Sequence, residues 1–451
     1  MPLNNLPASI QSVIQQNFLE RAFEDALRAD IGFRSIADPE DFTAGVGETI
    51  TKTRTGLLPA VTTPMSPAAN TDITSGLTAQ NYGVEQYTLS VAQYPGMMQL
   101  NIATAKVAID NLFLKNAATL GEQAYRSVDT LAQMALYKGY LGGNTFVRTT
   151  LGAAGVTINV DDISGFQYTW NSEGQVVAVS SGNPVNVQVG ADVYSLTGVA
   201  ADGTNVSVSP GGVSGTLTFS TSVTIADGTA QNAVVSAVAP WVERPMDAST
   251  NTVPASSVWG ITSSLFNGGK LSMQQLLQAK AQLKSNGVKP VRETGMYNFY
   301  GSPKQVVGLF NDPDFKLLFR GQPKTEEFRR GIVADILGVQ LIETNLNPAA
   351  TFGSNKVQYG ALCGEGALIE GKFTANAYAE TAGVPADDLI TVVDGIAHIT
   401  REPIDALKQV VTQSWSYIGG FAVPSDITTN PNTIPTASNS AFKRAVILQS
   451  L

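Results

Sequence analysis

From Thr149 to Glu243 the chain carries no lysine and no arginine, yet it holds seven acidic residues: Asp161, Asp162, Glu173, Asp192, Asp202, Asp227 and Glu243. Short β-branched or alternating runs fill the stretch: VTINV, QVVAVS, VNVQVG, VYSLTGVA, NVSVS, TLTFSTSVTI and AVVSAVA. Asp-Gly at 202–203 and 227–228 and Pro-Gly-Gly at 210–212 separate them as turns. Short strands punctuated in this way predict an all-β unit, either a sandwich or a small barrel. The sequence on both sides is helical and normally charged, so 149–243 reads as a domain inserted into another fold. Its acidic residues are expected in solvated turns, because no D-x-[DN]-x-[DN]-G loop is there to hold calcium.

The flanks have a different period. In 103–140, Phe113, Ala117, Leu120, Ala124, Val128, Leu131 and Ala135 step by three or four. That predicts one long helix of about 55 Å at 1.5 Å per residue, stopped by Gly142 and Gly143. Small residues dominate its stripe, so it can lie close on a sheet. Before it, prolines break TKTRTGLLPAVTTPMSPAAN, and QYTLSVAQYPGMMQLNI alternates like a strand. The span 46–101 reads as a long extended hairpin or loop with little core of its own, and such loops are usually functional. Residues 8–29 place Ile10, Val13, Ile14, Phe18, Phe23 and Leu27 on one helical face. That face must dock, on its own chain or on a neighbour. After the block, 271–287 is a helix, and the rest alternates helices and strands. VQYGALCGEGALIEG, LITVVDGIAHITREPI and TQSWSYIGGFAVP read as strands. A polar tail (424–440) leads to RAVILQSL, which can pair as an edge strand.

A chain of 451 residues predicts two to four domains. A hydrophobic fraction of 43% is enough for cores, while only 14% charge leaves much neutral surface, a hint of assembly. A net charge of −9 disfavours a dedicated nucleic-acid binder. One Cys and one His exclude an intrachain disulfide and a Cys/His zinc site within one chain. MPLNNLPASIQ has no basic n-region followed by an apolar core, so no secretory signal is expected. No apolar run approaches the roughly 18 residues of a membrane span. These features predict a soluble protein made in a cytoplasm.

The search for chemistry is negative. GEGALIEGKF contains G-x-x-x-x-G-K at Gly366, Gly371 and Lys372, but Phe373 stands where a phosphate loop needs Ser or Thr. His398 sits in DGIAHITREPID beside Asp394 and Glu402, and the alternation around it reads as a strand with one polar face. Cys363, between Leu362 and Gly364, reads as a buried thiol. There is no G-x-S-x-G and no H-E-x-x-H. No catalytic, cofactor-binding or metal-ligating residues are expected; the chain is not read as an enzyme.

The order of elements (amphipathic arm, extended hairpin, long helix, α+β body, strand-rich end) resembles the major capsid protein of tailed bacteriophages, with its HK-97-like fold. GIVADILGVQL, from Gly331 to Leu341, and SWSYIGGFAVP are similar to segments of that family. The resemblance implies an α+β fold: an N-terminal arm at 1–45, an E-loop at 46–101, and a spine helix with P-domain at 102–148. The inserted all-β domain is 149–243, the A-domain and rest of the P-domain 244–423, and the C-terminal tail 424–451. In the best-known inserted capsid domain the insertion lies within the A-domain; here it follows the spine helix directly. The arm lacks a long charged helical leader, so a separate scaffolding protein is implied.

The resemblance further implies an icosahedral shell of hexamers and pentamers around a DNA genome, assembled in the bacterial host cytoplasm and ending in the virion. Portal and decoration proteins are implied partners, and packaged dsDNA touches the inner surface non-specifically. No membrane and no cofactor are involved. Apolar groups on an extended arm need a partner surface, which makes Leu57, Leu58, Val61, Met65, Tyr94, Met97 and Met98 the expected assembly contacts, joined by Phe18 and Phe23 on the arm helix. The insert is expected to project outward or to bridge capsomers. Its missing cations would keep it off polyanions, although drift in a simple β domain would leave the same composition. An encapsulin-type compartment shell and a β-rich tail or adhesin protein are the alternatives.

Overall fold

The computed structural model describes residues 22–23, 25, 32–42, 49–55, 62, 84–101, 112–170, 176–236, 242–245, 263, 265–292, 294–320, 335–352, 355–373, 390–401, 409–424 and 444–451. A single 3₁₀ turn (Phe33–Ile36) runs into β1 (Ala37–Phe42); then come β2 (Thr49–Thr55), β3 (Val84–Ser90), β4 (Ala92–Asn101) and the helix α1 (Leu112–Leu141). Eight strands follow: β5 (Asn144–Phe146), β6 (Gly155–Val160), β7 (Tyr168–Trp170), β8 (Val176–Ala178), β9 (Val185–Val189), β10 (Asp192–Ala201), β11 (Gly215–Val223) and β12 (Ala233–Ser236). The chain continues with β13 (Val242–Glu243), α2 (Met273–Ser285), β14 (Tyr297–Gly301), α3 (Pro303–Leu309), α4 (Pro313–Arg320), β15 (Asp335–Ile336), β16 (Val339–Glu343) and β17 (Ala349–Phe352). It ends with β18 (Asn355–Cys363), β19 (Leu368–Phe373), β20 (Ile390–Val393), β21 (Ile396–Arg401), β22 (Val410–Ala422) and β23 (Ala445–Ser450).

Three large sheets organise these strands. The first has six, in the order β1-β19-β22-β21-β20, with β4 also on β22; the second has seven, β13-β23-β18-β14-β16-β15, with β17 also on β18. The 30-residue α1, about 45 Å long, joins them. Leu120, Ala124 and Val128, up to just past its midpoint, pack with Ile396, Trp415 and Tyr417 of the six-stranded sheet. Leu136, Tyr137 and Tyr140 in its second half pack with Tyr359, Ala361 and Ile447 of the seven-stranded one. Two buried tyrosine hydroxyls pin that half: Tyr137 donates to the Tyr359 carbonyl (3.0 Å) and Tyr140 to that of Ala367 (2.7 Å). The buried stripe differs from the expected one. After Val128 it runs through Ala132 and Leu136, while Leu131 and Ala135 are half-exposed. α1 changes the sheet it faces midway, and steps of four residues, which overshoot a turn of 3.6, carry the stripe round to the second sheet.

The third sheet, β5-β12-β9-β10-β11-β6, is antiparallel throughout. It closes on itself: Val147 bridges Val160, and Arg148 N–H donates to the Asn159 carbonyl (2.8 Å). The interior is filled by Ile158, Val187, Val189, Leu196, Leu217, Phe219 and Val234, the packed lumen of a small barrel. Alternation puts Phe146, Ala233 and Val235 on the opposite face, in the core shared with α1 and the seven-stranded sheet. The barrel is thus fused to the body along β5 and β12. Gly165 (φ +82°) lies so close on Gly142 and Gly143 that a Cβ would overlap their backbone, and Gly143 N–H donates to the Ser164 carbonyl (2.9 Å). Val242 and Glu243, at the end of the cation-free stretch, pair instead with Ile447 and Leu448 of β23.

Three expectations are corrected here. NVSVS (205–209) forms no strand, because Asp161 draws it inward. That carboxylate accepts from Val208 N–H (2.9 Å), Ser209 N–H (3.1 Å), Ser209 Oγ (2.7 Å) and Ser207 Oγ (3.0 Å), and such local bonds compete with a strand ladder. The barrel's acids are also not all in solvated turns: Asp161, Asp162 and Asp227 are buried. Backbone amides and hydroxyls satisfy them in place of cations, as when Asp227 accepts from Ala191 N–H (3.0 Å), Tyr194 Oη (2.6 Å) and Thr224 Oγ1 (2.8 Å). Finally, β23 is not an edge strand. It pairs on both sides, with β18 and β13, and all six residues are buried.

Candidate assembly interface

The β2–β3 hairpin is a two-stranded ribbon, in register from Thr49↔Ser90 to Thr55↔Val84, and pairs with no further strand among the described residues. Its root is fixed by Leu89, which is fully buried against Ile369 of β19, with Val91 and Ala422 packed around. The close approach explains a glycine: a Cβ on Gly420 would overlap the Ser90 carbonyl. After a one-residue break the chain enters β4, which pairs with β22 from Ala92↔Gly419 to Asn101↔Val410. Pro95 removes a ladder donor, which suits an outer strand, and β4 has no second strand neighbour among the described residues.

Period-two alternation divides the β4 side chains. Tyr94, Gly96, Met98 and Leu100 face the helix; Gln93, Pro95, Met97 and Gln99 face away. Tyr94 stacks on Tyr417 at 6.4 Å and is half-buried with Met98 against the α1 core. Gly96 leaves room for the Trp415 indole, whose Nε1 donates to Gln123 Oε1 of α1 (3.2 Å). Met97 is 62% exposed. Between β4 and α1 lies an open groove of about 540 Å³, lined by Tyr94, Glu122, Gln123, Arg126, Thr130 and Leu346 among others.

Of the expected contacts, Met97 alone is freely presented among the described residues. Tyr94 and Met98 are half-buried and pack against α1 and β22 of the same chain. Phe23 is covered completely. It is fully buried against Leu120, Ala124, Val128 and Trp415, so its docking partner is its own chain. Phe18, Leu57, Leu58, Val61 and Met65 lie outside the described residues.

A charged cluster holds the arm-side segment in place, and no sequence motif announces it. Arg34 Nη2 and Nε donate to Glu370 Oε1 at 2.7 and 3.0 Å, and Nε also reaches Oε2 at 3.0 Å. Arg34 further donates to the Asp394 carboxylate (3.2 Å) and carbonyl (2.7 Å) and lies over the Tyr417 ring. Tyr417 Oη donates to Glu370 (2.9 Å), and Arg34 N–H donates to Asp129 Oδ1 of α1 (2.9 Å). Burial opposes the guanidinium charge, but the bonds and charge of Glu370 outweigh it and raise its affinity for the proton. The signal available in sequence was one carboxylate, Glu370, inside the apolar strand ALIEGKF: a buried charge needs a partner. The partner, 336 residues away, is invisible to local patterns.

The groups tested for chemistry are embedded in strands. Gly371 and Lys372 pair with Glu40 and Asp41 on one side and with Gly420 and Gly419 on the other. Burial pushes the Cys363 thiol well up. His398 is buried, and burial lowers its imidazole to about 4. Among the described residues no cluster of three His, Cys, Asp or Glu is placed to hold a metal, and no helix is long and apolar enough to cross a membrane.

Neither known protein-family models nor curated protein sequences give a match. Among solved structures, the chain is similar to the capsid of Ralstonia phage GP4 (11% identity, TM-score 0.47, 92% of this chain and 87% of that one). It is likewise similar to the cyanophage Pam1 capsid asymmetric unit (13%, 0.47, 91% and 87%) and to the capsid of cyanophage P-SCSP1u (12%, 0.45, 93% and 88%).

Proposed function

We propose that this chain is the major capsid protein of a tailed bacteriophage, a structural subunit that assembles with copies of itself into the icosahedral shell around a DNA genome. One observation carries the reading: the β2–β3 ribbon pairs with no further strand among the described residues, and Leu89 anchors its root. A lone two-stranded ribbon is marginal in water, and a subunit that extends one is built to lay it on a neighbour. In this reading β2–β3 is the E-loop, α1 the spine helix, the six-stranded sheet the P-domain and the seven-stranded sheet the A-domain. The barrel, fused along β5 and β12, is an insertion that faces outward or bridges capsomers. The solved structures named above are phage capsids, in keeping with a reading that rests on the ribbon and the helix and not on them. Met97 and the groove beside α1 are the surfaces proposed to receive neighbouring subunits, with many weak contacts summing in a closed shell. Scaffolding protein, portal and a non-specific inner contact with dsDNA belong to the same proposal. The test is electron microscopy of the full chain expressed with its scaffolding protein. Closed shells are expected; monomers under every condition would sink the reading.

A further inference from the structure

The barrel has two ends. At one, β6 finishes at Val160 and β11 starts at Gly215, and the turn after β6 reaches Gly143 at the end of α1. At the other, β6 starts beside Val223 of β11, and β9 turns into β10 at 190–191. The nine residues of β11 set the two ends about 26 Å apart. The far rim presents Val156, Val193 and Ile225, which are 43%, 61% and 49% exposed. Its loops are tied to one another. Asp227 accepts from Ala191 N–H, Tyr194 Oη and Thr224 Oγ1. Asn232 Nδ2 donates to the carbonyls of Ala226 (2.7 Å) and Asp227 (2.8 Å). Leu151 N–H donates to the Gly228 carbonyl (2.9 Å), and Ala230 N–H to Thr150 Oγ1 (3.0 Å). An apolar rim fixed in advance loses little freedom when it binds. We propose that this far rim is a contact for the same rim on a second copy of the chain.

Charge selects the occupant. When two copies meet through one shared patch, charges near the axis approach their like. A patch with acids and no cations would repel itself, with no ion pair to offset the cost. The barrel avoids this among its described residues. Asp161, Asp162 and Asp227 are buried among backbone and hydroxyl donors. Asp202 is paired with Arg148 at 2.7 Å, and Asp192 alone is exposed outside an ion pair. Two copies of a chain of net charge −9 can therefore meet here with only Asp192 facing its like. A basic partner would find one carboxylate to pair with, and an acidic partner no cation, so neither fits as well as a second neutral rim. A single contact of three aliphatic side chains is weak, and repetition among many copies makes it count. The contact adds to the shell reading, in which the barrel's partner is unnamed, and does not need a closed shell to form.

The experiment uses the full chain carrying Val193→Cys, expressed with its scaffolding protein, and a short bis-maleimide as the probe. Cys363, the chain's one cysteine, is fully buried, so the introduced thiol is the one presented. Thr204→Cys, exposed at the body end of the barrel, is the control. Crosslinked dimer is expected to form about a hundredfold faster from Val193→Cys than from Thr204→Cys, because thiols held in contact meet at a high effective concentration. The rate should be the same in low and high salt, since no ion pair carries the contact. Ile225→Cys should behave as Val193→Cys does. Closed particles whose rim thiols do not crosslink would overturn the proposal and leave the shell reading standing. Crosslinking that is equal at Thr204, that high salt abolishes, or that joins the rim to a different protein would overturn it too. If no particles form, the shell reading fails, and the same comparison on the unassembled chain decides the contact by itself: rim dimers support it and their absence overturns it.

Discussion

Replacing Arg34 by Met keeps an apolar stem over Tyr417 and removes the cation. Glu370, 4% exposed, then keeps the Tyr417 hydroxyl but loses both Arg34 donors. Breaking a buried pair by removing one partner costs about 3–5 kcal/mol, because the other charge stays buried. Asp394 differs: its side chain is 56% exposed, and an ion pair of that kind is worth roughly 0–1 kcal/mol. The two substitutions should therefore separate clearly. A chain with several cores does not unfold in two states, so the readout is local: hydrogen exchange of the amides in Ala37–Phe42 and Leu368–Phe373, which pair in parallel. Arg34→Met should raise local opening by roughly two to three and a half powers of ten, and Asp394→Ala by less than tenfold. Adding Glu370→Gln to Arg34→Met should recover most of the loss, since no buried charge then remains. If Arg34→Met proves no worse than Asp394→Ala, the cluster is not the clasp described here.

Gly420→Ala should loosen the hairpin root, because the new Cβ meets the backbone carbonyl of Ser90. Overpacking of this kind costs about 1–3 kcal/mol, and faster exchange across Val84–Ser90 would report it. Gly96→Ala pushes on the Trp415 indole and its bond to Gln123, so a changed tryptophan emission with the barrel intact is expected. Tyr194→Phe leaves the buried Asp227 without its 2.6 Å donor; a loss of about 1.5–3 kcal/mol in barrel stability should show in exchange of β10 and β11. Although burial opposes it, Asp227 is held below the ordinary carboxylate range by bonds from Tyr194, Thr224 and Ala191. Its contribution is therefore present above the unfolded value of 3.8 and lost as pH falls through the lowered one. Asp227→Asn should flatten that part of the acid limb.

Much of the architecture was legible because it is local. The helix stop at Gly142, the paired runs of the hairpin and most barrel strands follow from period and turn chemistry within windows of ten to thirty residues. What escaped depends on distant partners. The helix stripe shifts after Val128 because α1 changes sheets, which no single-helix pattern encodes. β23 looks like an edge by position, yet β13 closes over it from 205 residues upstream. NVSVS has strand composition and loses that structure to one carboxylate. Phe23, Tyr94 and Met98 are apolar residues on extended or terminal segments that pack on their own chain, and a sequence shows that such groups need cover but not whose.

The measurement that tests the central claim most directly is a reconstruction of the assembled particle at a resolution that traces β2 and β3. The account predicts a closed shell in which the hairpin of each subunit, rooted at Leu89, crosses onto a neighbouring subunit with Met97 at the contact. A hairpin folded back on its own chain, or full chain that forms no closed particle with its scaffolding protein, would contradict it.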